Sequence, residues 1–390
     1  MKFNKEKLAN LCKFVTSGGT PLTSIPFYYY PKEIPWLKTG EVNYCRIYDT
    51  ENYISKEGLA NSSAKLIPAN SVIVAMYGQG DTAGRVAVNK IPLSTNQACC
   101  NLVINHEIAD YEYVYYSLCT LYARLVSLKN GGAQPNLNVE KIKAIEIPVP
   151  KLNIQHRIAR ILGGYDDLIE NNQKQIKLLE EAAQRLYKEW FVDLRFPGHE
   201  NVKIIDGVPE GWKTERLIDI VDVQYGFAFN GSLFNTEKKG IPIVRIRNIP
   251  DGITDDYTLE EVDSKYMIHN GDIVIGMDGE FHINSWSGTD AYLVQRTCCV
   301  RPRKTEIKGW LFEAIYDPIK YFEKTVVGAT VAHLGKKHID SIVLLTGPDE
   351  LFVPFQIMFE KRQVLLNKTR LLIEARDRLL PKLMSGKIKL

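Results

Sequence analysis

The sequence contains most of its features twice, at a separation of roughly 200 residues, whereas solenoid repeats recur every ~20 to 50 residues. Residues 34–42 return at 241–249, 70–74 return at 270–274, and the pair Cys99 and Cys100 returns as Cys298 and Cys299. Further matches join Leu137, Ile142 and Ile145 to Leu334, Ile339 and Ile342. A repeat of this length predicts two whole globular domains, and a heptad-like helix follows each of them.

Composition narrows the class of protein without identifying it. A chain of 390 residues has room for two or three domains, each with its own core. No apolar run reaches the ~18 residues of a membrane span, and residues 1–7 lack the apolar core of a signal peptide. Seven cysteines without a Cys-x-x-Cys pair predict neither a disulfide framework nor a zinc site. We therefore expect a cytoplasmic protein with no metal and no membrane partner.

Each half of the chain predicts a mixed α/β (α+β) domain. In the first half, β-branched and apolar runs at 66–76 and 98–104 are typical of buried strands, and helical spacing predicts a helix over 111–128. The domains are predicted at 1–150 and 213–346, with a linker at 196–212 between them.

Two long heptad-like stripes predict a pair of helices, at 151–195 and at 347–390. The first stripe changes phase by one residue after the polar run 171–173, and at ~1.5 Å per residue it spans ~60 Å. Because the second stripe is two residues wide, it needs a cover, and the first helix is the simplest one. We predict an antiparallel coiled coil that separates the domains in a pseudo-twofold arrangement. Its interface residues would be Ile158, Leu168, Ile176, Leu179, Leu186, Met358, Leu365, Leu372 and Leu379.

No catalytic constellation is evident in the sequence. There is no phosphate-binding Gly-x-x-x-x-Gly-Lys loop and no Gly-x-Ser-x-Gly, and the seven histidines show no metal-ligand spacing. One pattern imitates a metal-dependent nuclease, since Asp251 precedes Asp263 and Lys265. The first half offers only Ser63 and Lys65 at the matching places, which weakens this interpretation.

Loop residues in both halves have the chemistry needed to contact DNA. Arg bonds to guanine and Asn or Gln to adenine through two groups at once, while Lys, Arg and hydroxyls bond to phosphates. Lys38 and Arg245 fall at matched places in the repeat. The candidates in the first half are Lys38, Thr39, Gln79, Arg85, Gln134, Asn136 and Asn138. Those in the second half are Arg245, Arg247, Asn248, His282, Asn284, Arg296, Thr330, His333 and Lys336.

Several short segments, in order along the whole chain, resemble the specificity subunits of type I restriction-modification systems. They are Ile-Pro-Val-Pro at 147–150, Gln-His-Arg-Ile at 155–158, Trp-Phe-Val-Asp-Leu-Arg-Phe at 190–196, Gly-Val-Pro-Glu-Gly-Trp at 207–212 and Leu-Leu-Pro-Lys-Leu-Met-Ser-Gly at 379–386. The run Gly-Ala-Gln-Pro-Asn-Leu-Asn at 132–138 is similar to the end of a target recognition domain, whereas 328–334 departs from it.

The resemblance implies a non-catalytic subunit in which each target recognition domain reads one half of a bipartite site on double-stranded DNA. The paired helices would set the gap and dock two methyltransferase (M) subunits, and restriction (R) subunits would join the complex. This chain would hold no cofactor, since S-adenosylmethionine, ATP and Mg²⁺ are expected on the partner subunits. Two alternatives stay open: a stand-alone Mg²⁺-dependent nuclease that uses Asp251, Asp263 and Lys265, and a protein scaffold that never contacts DNA.

Overall fold

The computed structural model describes residues 3–129, 136–325, 332–388 and 390. The chain forms two compact units: unit 1 comprises Met1–Asp167 with Ile373–Leu390, and unit 2 comprises Leu168–Leu372. Each unit combines β-sheets with helices, so the predicted α/β class with two tandem domains and long helices is confirmed. The boundary between the units falls inside each of the two long helices.

Unit 1 is built on a five-stranded sheet. Its strands are β1 (Asn4–Lys7), β2 (Cys12–Ser17), β3 (Ile34–Leu37), β4 (Cys45–Ile47), β5 (Tyr53–Ile54), β6 (Val72–Ala75), β7 (Val86–Asn89), β8 (Ser94–Thr95), β9 (Cys99–Ile104) and β10 (Glu146–Val149). Its helices are α1 (Leu8–Leu11), α2 (Lys56–Ala60), α3 (Tyr111–Cys119), α4 (Tyr122–Ser127), α5 (Val139–Lys143) and the first part of α6 (Leu152–Tyr187). The sheets have the orders β2-β9-β6-β7-β4, β5-β3-β8 and β1-β10. The central strands β6, β7 and β9 are buried on both faces, which their β-branched side chains favour.

Unit 2 repeats this plan with a four-stranded central sheet. Its strands are β11 (Ile204–Ile205), β12 (Val208–Pro209), β13 (Lys213–Arg216), β14 (Val221–Tyr225), β15 (Phe234–Asn235), β16 (Ile241–Val244), β17 (Tyr257–Thr258), β18 (Met267–Ile268), β19 (Ile273–Gly276), β20 (Ile283–Ser285), β21 (Ala291–Leu293), β22 (Thr297–Pro302) and β23 (Val343–Thr346). Its helices are the rest of α6, then α7 (Leu217–Ile220), α8 (Lys308–Ala314), α9 (Tyr316–Thr325), α10 (Lys336–Asp340) and the first part of α11 (Val353–Met384). The sheets have the orders β14-β22-β19-β20, β15-β17-β16-β21-β18, β13-β23 and β11-β12. The segment 196–212, predicted as a linker, contains β11 and β12 and buries Phe196 and Trp212 in the core of unit 2.

The repeat extends to the register of the strands. In unit 1 the parallel pairing of β3 with β8 sets Leu37 beside Thr95. In unit 2 the parallel pairing of β16 with β21 sets Val244 beside Leu293. The strands that open and close each copy of the repeat also pair, as β1 with β10 and as β13 with β23. The two units therefore share the order and direction of these strand pairs.

The predicted alignment of 70–74 with 270–274 is wrong by one residue. Asn70 has a left-handed backbone, with φ 64°, and donates its N–H to Asn89 at 2.7 Å. In unit 2 these properties belong to Gly271, with φ 86° and a bond of 2.7 Å to Trp286. The turn therefore matches Asn70 with Gly271, because a left-handed residue is needed at this position.

The predicted match of the cysteine pairs is also wrong by one residue. Val74 pairs with Cys100, and its counterpart Ile275 pairs with Cys298. Cys100 thus corresponds to Cys298, and Cys99 corresponds to Thr297. Since neighbouring residues on a strand face opposite sides, Cys100 and Cys298 point into the largest core of their units, and the adjacent cysteine lies on the other face.

Segments of α6 and α11 run antiparallel inside each unit. In unit 1, Ile158 and Leu162 near the start of α6 pack in one core with Leu383 near the end of α11. In unit 2, Glu180 of α6 pairs with Arg362 at 2.7 Å, and seven residues later Tyr187 contacts the ring of Phe355. The partner position falls along α11 as the position on α6 rises, which is the antiparallel geometry that we predicted.

The predicted phase of the α6 stripe is wrong in its middle. Leu168 is 52% exposed and Ile161 is 37% exposed, whereas the next residues, Ile169 and Leu162, are buried. Polar side chains also lie on the buried face, at Gln155, Asp166 and Asn172. With these included, the stripe runs through 155, 158, 162, 166, 169, 172 and 176 without a change of phase. The apolar pattern alone therefore predicts the exposed residues Ile161 and Leu168 instead of their buried neighbours Leu162 and Ile169.

The other predicted interface residues are covered to different extents. Ile158, Ile176 and Leu365 are buried, and Leu179, Leu186, Met358, Leu372 and Leu379 are half-buried. The helix predicted over 111–128 is two helices, α3 and α4, which are interrupted at Thr120, where the hydroxyl bonds back to Ser117 at 2.7 Å. Within the described residues, no helix is long and apolar enough to cross a membrane.

Candidate nucleic-acid interface

Three loops of unit 1 meet at one end of its five-stranded sheet. Leu137 donates its N–H to the carbonyl of Met76 at 3.0 Å, which joins the segment before α5 to the loop after β6. Arg85 donates to Asn43 at 3.1 Å and so joins that loop to the turn after β3. The candidates Lys38, Gln79, Arg85, Asn136 and Asn138 therefore lie on segments that converge.

Arg85 is held in place by Asp81, which in turn is bonded to Tyr122. Its Nη2 pairs with Asp81 at 2.5 Å, and the Tyr122 hydroxyl donates to the Asp81 carbonyl at 2.9 Å. Asp81 raises the pKa of Arg85, and Arg85 lowers the pKa of Asp81. The guanidinium is thereby fixed in orientation, as a group that bonds to a base edge must be.

Lys38 and Arg245 occupy the same structural position, as the repeat predicts. The N–H of Lys38 donates to Glu41 at 3.1 Å, and the N–H of Arg245 donates to Asn248 at 2.8 Å. Each cation also lies against an aromatic ring, 5.3 Å from Trp36 and 5.7 Å from Phe234. The shared geometry places a cation at the same turn of each unit, where it can approach a phosphate.

Arg247 and Asn248 are tied to a buried carboxylate. Asp256 is buried, and it accepts from Arg247 Nε at 3.1 Å and from Asn248 Nδ2 at 3.2 Å. The side chain of Arg247 is still 61% exposed. Asp256 therefore positions Arg247, while both polar groups of Asn248 are already used in the turn.

Three candidate residues have structural roles instead. Thr39 is buried. The amide oxygen of Asn138 caps α5 by accepting from Lys141 N at 2.9 Å. Asn284 donates to the carbonyl of Pro250 at 2.8 Å and accepts from Arg362 at 2.8 Å. The sequence identified polar residue types correctly, but burial covers Thr39 and tertiary bonds occupy the amide of Asn284, so we withdraw these two as base contacts, whereas the cap uses only the amide oxygen of Asn138.

In unit 2, Arg296 and His333 contact Asp278, an acid that no sequence pattern indicates. His333 Nδ1 lies 2.6 Å from Asp278 Oδ1, and Arg296 Nε lies 3.4 Å from Asp278 Oδ2. His282, in the same loop as Asp278, is 3.6 Å from Glu280. No sequence signal would have paired Asp278 with residues 18 and 55 positions away, because only the fold brings them together.

The remaining candidates divide into exposed and undescribed residues. Gln79, Asn136 and Lys336 are exposed. Gln134 and Thr330 lie outside the described residues.

The nuclease pattern does not form a metal centre. Asp263 accepts from the N–H of Lys265 at 2.8 Å within its own turn, and its carboxylate pairs with the Lys265 ammonium at 3.5 Å. Across the described parts of the chain, no group of three or more His, Cys, Asp or Glu side chains is arranged to hold a metal ion. Asp263 is explained by its turn, and the nuclease alternative is not supported.

The family model of the type I restriction modification DNA specificity domain matches residues 2–181 and 209–346. The chain belongs to this family. The two matched segments contain the globular parts of unit 1 and unit 2, so the family match repeats along the chain as the fold does. The resemblance seen in the short segments is thereby confirmed.

Similar proteins agree with the family match. The MjaIX specificity subunit of Methanocaldococcus jannaschii is 27% identical over 399 residues, which cover 96% of this chain and 91% of that protein. The EcoR124I/EcoR124II specificity subunit of Escherichia coli is 31% identical over 182 residues, covering 46% and 45% of the two chains. The crystal structure of a type I S subunit from M. genitalium has a TM-score of 0.62 at 16% identity and covers 99% of this chain and 96% of that one. That structure shares the fold.

Proposed function

We propose that this chain is the DNA-recognition subunit of a type I restriction-modification complex, in which unit 1 and unit 2 each read one half of a bipartite DNA target. The observation that carries this proposal is a repeated frame with unlike loop chemistry. In unit 1 Arg85 pairs with Asp81, whereas in unit 2 Arg296 pairs with Asp278, and the two arginines lie on loops that do not correspond in the repeat. Two domains of one topology with different polar side chains suit two different half-sites.

The polar groups of the candidate interface have the chemistry needed to bind nucleic acid. Net charge is only +3 for the whole chain, so affinity must come from local groups. Lys38 and Arg245 supply cations at matched turns, and Gln79 and Asn136 supply exposed amides on neighbouring loops. Cations that contact phosphates position the duplex, and amides or guanidinium groups that contact base edges select the sequence.

The long helices α6 and α11 would serve as the spacer. A helix of 36 residues spans ~54 Å, since each residue adds ~1.5 Å. In this proposal the helices fix the distance between half-sites and dock two methyltransferase subunits, and restriction subunits complete the assembly. The chain itself is non-catalytic and cytoplasmic, and S-adenosylmethionine, ATP and Mg²⁺ bind to the partners. The named relatives, all of them specificity subunits, support this assignment.

The test is a selection of duplexes from a random library by the complex of this chain with its methyltransferase partners. We expect a motif of two conserved blocks separated by a gap of fixed length. Binding to the selected duplex should weaken steeply between ~50 and ~200 mM salt, because each phosphate contact releases counterions. A complex that selects no motif, or whose affinity does not depend on salt, would instead support the DNA-independent scaffold.

A further inference from the structure

Asp278, Arg296 and His333 form a compact charged triad in unit 2. Asp278 contacts both partners through different oxygens, at 2.6 Å to His333 Nδ1 and 3.4 Å to Arg296 Nε. Nη1 of Arg296 lies 3.2 Å from both ring nitrogens of His333. The three residues come from separate segments: Asp278 follows β19, Arg296 precedes β22, and His333 precedes α10.

Backbone hydrogen bonds fix the positions of the triad. Met277 donates its N–H to the carbonyl of Arg296 at 2.9 Å. Leu334 donates to the carbonyl of Met277 at 2.8 Å. Asp278 and His333, each next to one of these residues, also form a bridge between their backbones. The segments are therefore held together whatever the side chains of the triad do.

Unit 1 builds the same frame with different side chains. Met76 donates to the carbonyl of Ala98 at 2.8 Å, and Leu137 donates to the carbonyl of Met76 at 3.0 Å. The counterparts of Asp278, Arg296 and His333 are consequently Tyr77, Ala98 and Asn136. The same backbone frame thus occurs in unit 1 without these charges.

The triad also has the exposure and the backbone of a binding site. The side chains of Arg296, His333 and Asp278 are 50%, 44% and 32% exposed. Arg296 has a φ of 71°, in the left-handed region that non-glycine residues rarely occupy. Such conformations concentrate at functional sites, where the surrounding structure enforces them.

The guanidinium of Arg296 still has donors for a ligand. An arginine carries five N–H groups in one plane, and among the described residues Nε approaches Asp278 and Nη1 approaches His333. A phosphate contact requires only a positive charge, whereas bonding to O6 and N7 of guanine together depends on a donor group held in a fixed orientation, which a planar guanidinium provides. The carboxylate of Asp278 supplies that orientation.

We propose that Arg296 reads a guanine in the half-site bound by unit 2, with Asp278 and His333 as its positioning residues. This inference rests on the proposed function. Ala98 at the matching place in unit 1 offers no donor, so the equivalent base of the other half-site is not read in this way. The two half-sites therefore differ in chemistry at one structurally equivalent position.

The experiment is a duplex selection with the full-length chain in complex with its methyltransferase partners, at one salt concentration. Wild type is compared with Arg296→Ala, Arg296→Lys and Asp278→Asn. Arg303→Ala is the matched control, because Arg303 is an exposed, ion-paired arginine at the other end of β22. Co-purification with the partners establishes that each variant is folded, and Arg296→Lys, which keeps the charge, carries the test if Arg296→Ala fails to assemble.

We expect Arg296→Ala to lower the preference for guanine at one position of one half-site about 5- to 150-fold and to leave every other position unchanged. Arg296→Lys should lose part of the preference at that position, because an ammonium on a flexible stem keeps the charge but lacks the planar fork that Asp278 holds in orientation. Asp278→Asn should weaken the preference at that same position, and Arg303→Ala should keep the wild-type motif. An unchanged motif in Arg296→Ala, or an equal loss of affinity for all duplexes, would overturn the inference. A wild-type complex that selects no motif would overturn the proposed function itself.

Discussion

Arg376 of α11 donates from Nη1 to Asp166 Oδ1 of α6 over 2.7 Å inside unit 1. The side chains are only 23% and 10% exposed. The Tyr116 hydroxyl donates to the other oxygen of the same carboxylate, and burial together with that carboxylate raises the pKa of Tyr116. The two helices are thus joined through a buried charge that is fully partnered.

Removal of the arginine should destabilise unit 1 strongly. Arg376→Ala leaves the Asp166 carboxylate without its counter-charge, so we expect the free energy of unfolding to fall by about 3 to 5 kcal/mol in a denaturant titration. Arg378→Ala, an exposed arginine two residues later, should change it by less than ~0.5 kcal/mol. Equal effects of the two substitutions would show that the pair does not stabilise the fold.

Glu313 makes the stability of unit 2 depend on pH. Burial, with a smaller contribution from Glu180, raises its pKa from 4.5 to about 7. The folded protein therefore binds more protons than the unfolded chain between these values, and the stability present below pH ~4.5 is lost as the pH rises through ~7. Glu313→Gln should raise the free energy of unfolding by about 3 kcal/mol at pH 8.

The same substitution should have little effect at pH 4.5, where the carboxyl group of Glu313 is protonated in the folded protein. Glu350→Gln changes an exposed glutamate of the same unit and serves as the control. A stabilisation by Glu313→Gln that is equal at both pH values would contradict the raised pKa.

The thiols of the cysteines in the central strands should be unreactive towards alkylating reagents in the folded protein. Cys298 is fully buried, and burial raises its pKa to about 12, so almost no thiolate exists at pH 8. We expect iodoacetamide to leave Cys298 unmodified in native protein and to modify it rapidly in denaturant, as measured by peptide mass spectrometry. Rapid alkylation of Cys298 under native conditions would be inconsistent with its place in the core.

Features that repeat or follow a regular period could be predicted from the sequence. The recurrence at roughly 200 residues gave two domains of one topology, and the heptad spacing gave two long helices, because both signals average over many positions. Exact register was not accessible. Asn70 and Asn270 align by residue identity, but the left-handed residue of the second turn is Gly271. Only the backbone geometry shows this.

Buried polar contacts explain the errors on the helix. Asp166 and Asn172 lie on the covered face of α6, which a search for apolar residues cannot anticipate. The stripe was therefore assigned to the exposed Leu168 instead of Ile169. Asp166 is tolerated there because Arg376, 210 residues away, supplies its counter-charge.

The candidate interface was predictable by residue type and not by arrangement. Arg85, Arg247 and Arg296 were found as cations in loops, but the acids that orient them were not. Asp81 lies four residues from Arg85, but Asp256 and Asp278 lie further along the chain from their arginines, and the fold brings them together. For the same reason the sequence could not show that the amide of Asn284 is already bonded.

The length of the helix pair should set the gap between the half-sites. Deletion of 170–176 together with 366–372 removes one heptad from each of the antiparallel helices α6 and α11 and keeps the heptad phase. Seven residues correspond to ~10.5 Å of helix, so the preferred gap should shorten by about three base pairs. Selection of duplexes by the complex with both deletions measures the gap. The control is a deletion of only one of the two segments. It should disrupt the pairing of the helices.

The most direct test of the central claim is to exchange residues 1–150 for the corresponding domain of another specificity subunit and to map the methylated DNA motif of the assembled complex. If each unit reads one half of the target, the chimera should change one block of the motif and keep the other block together with the gap. A chimera that changes both blocks, or neither, would contradict the assignment of one half-site to each unit.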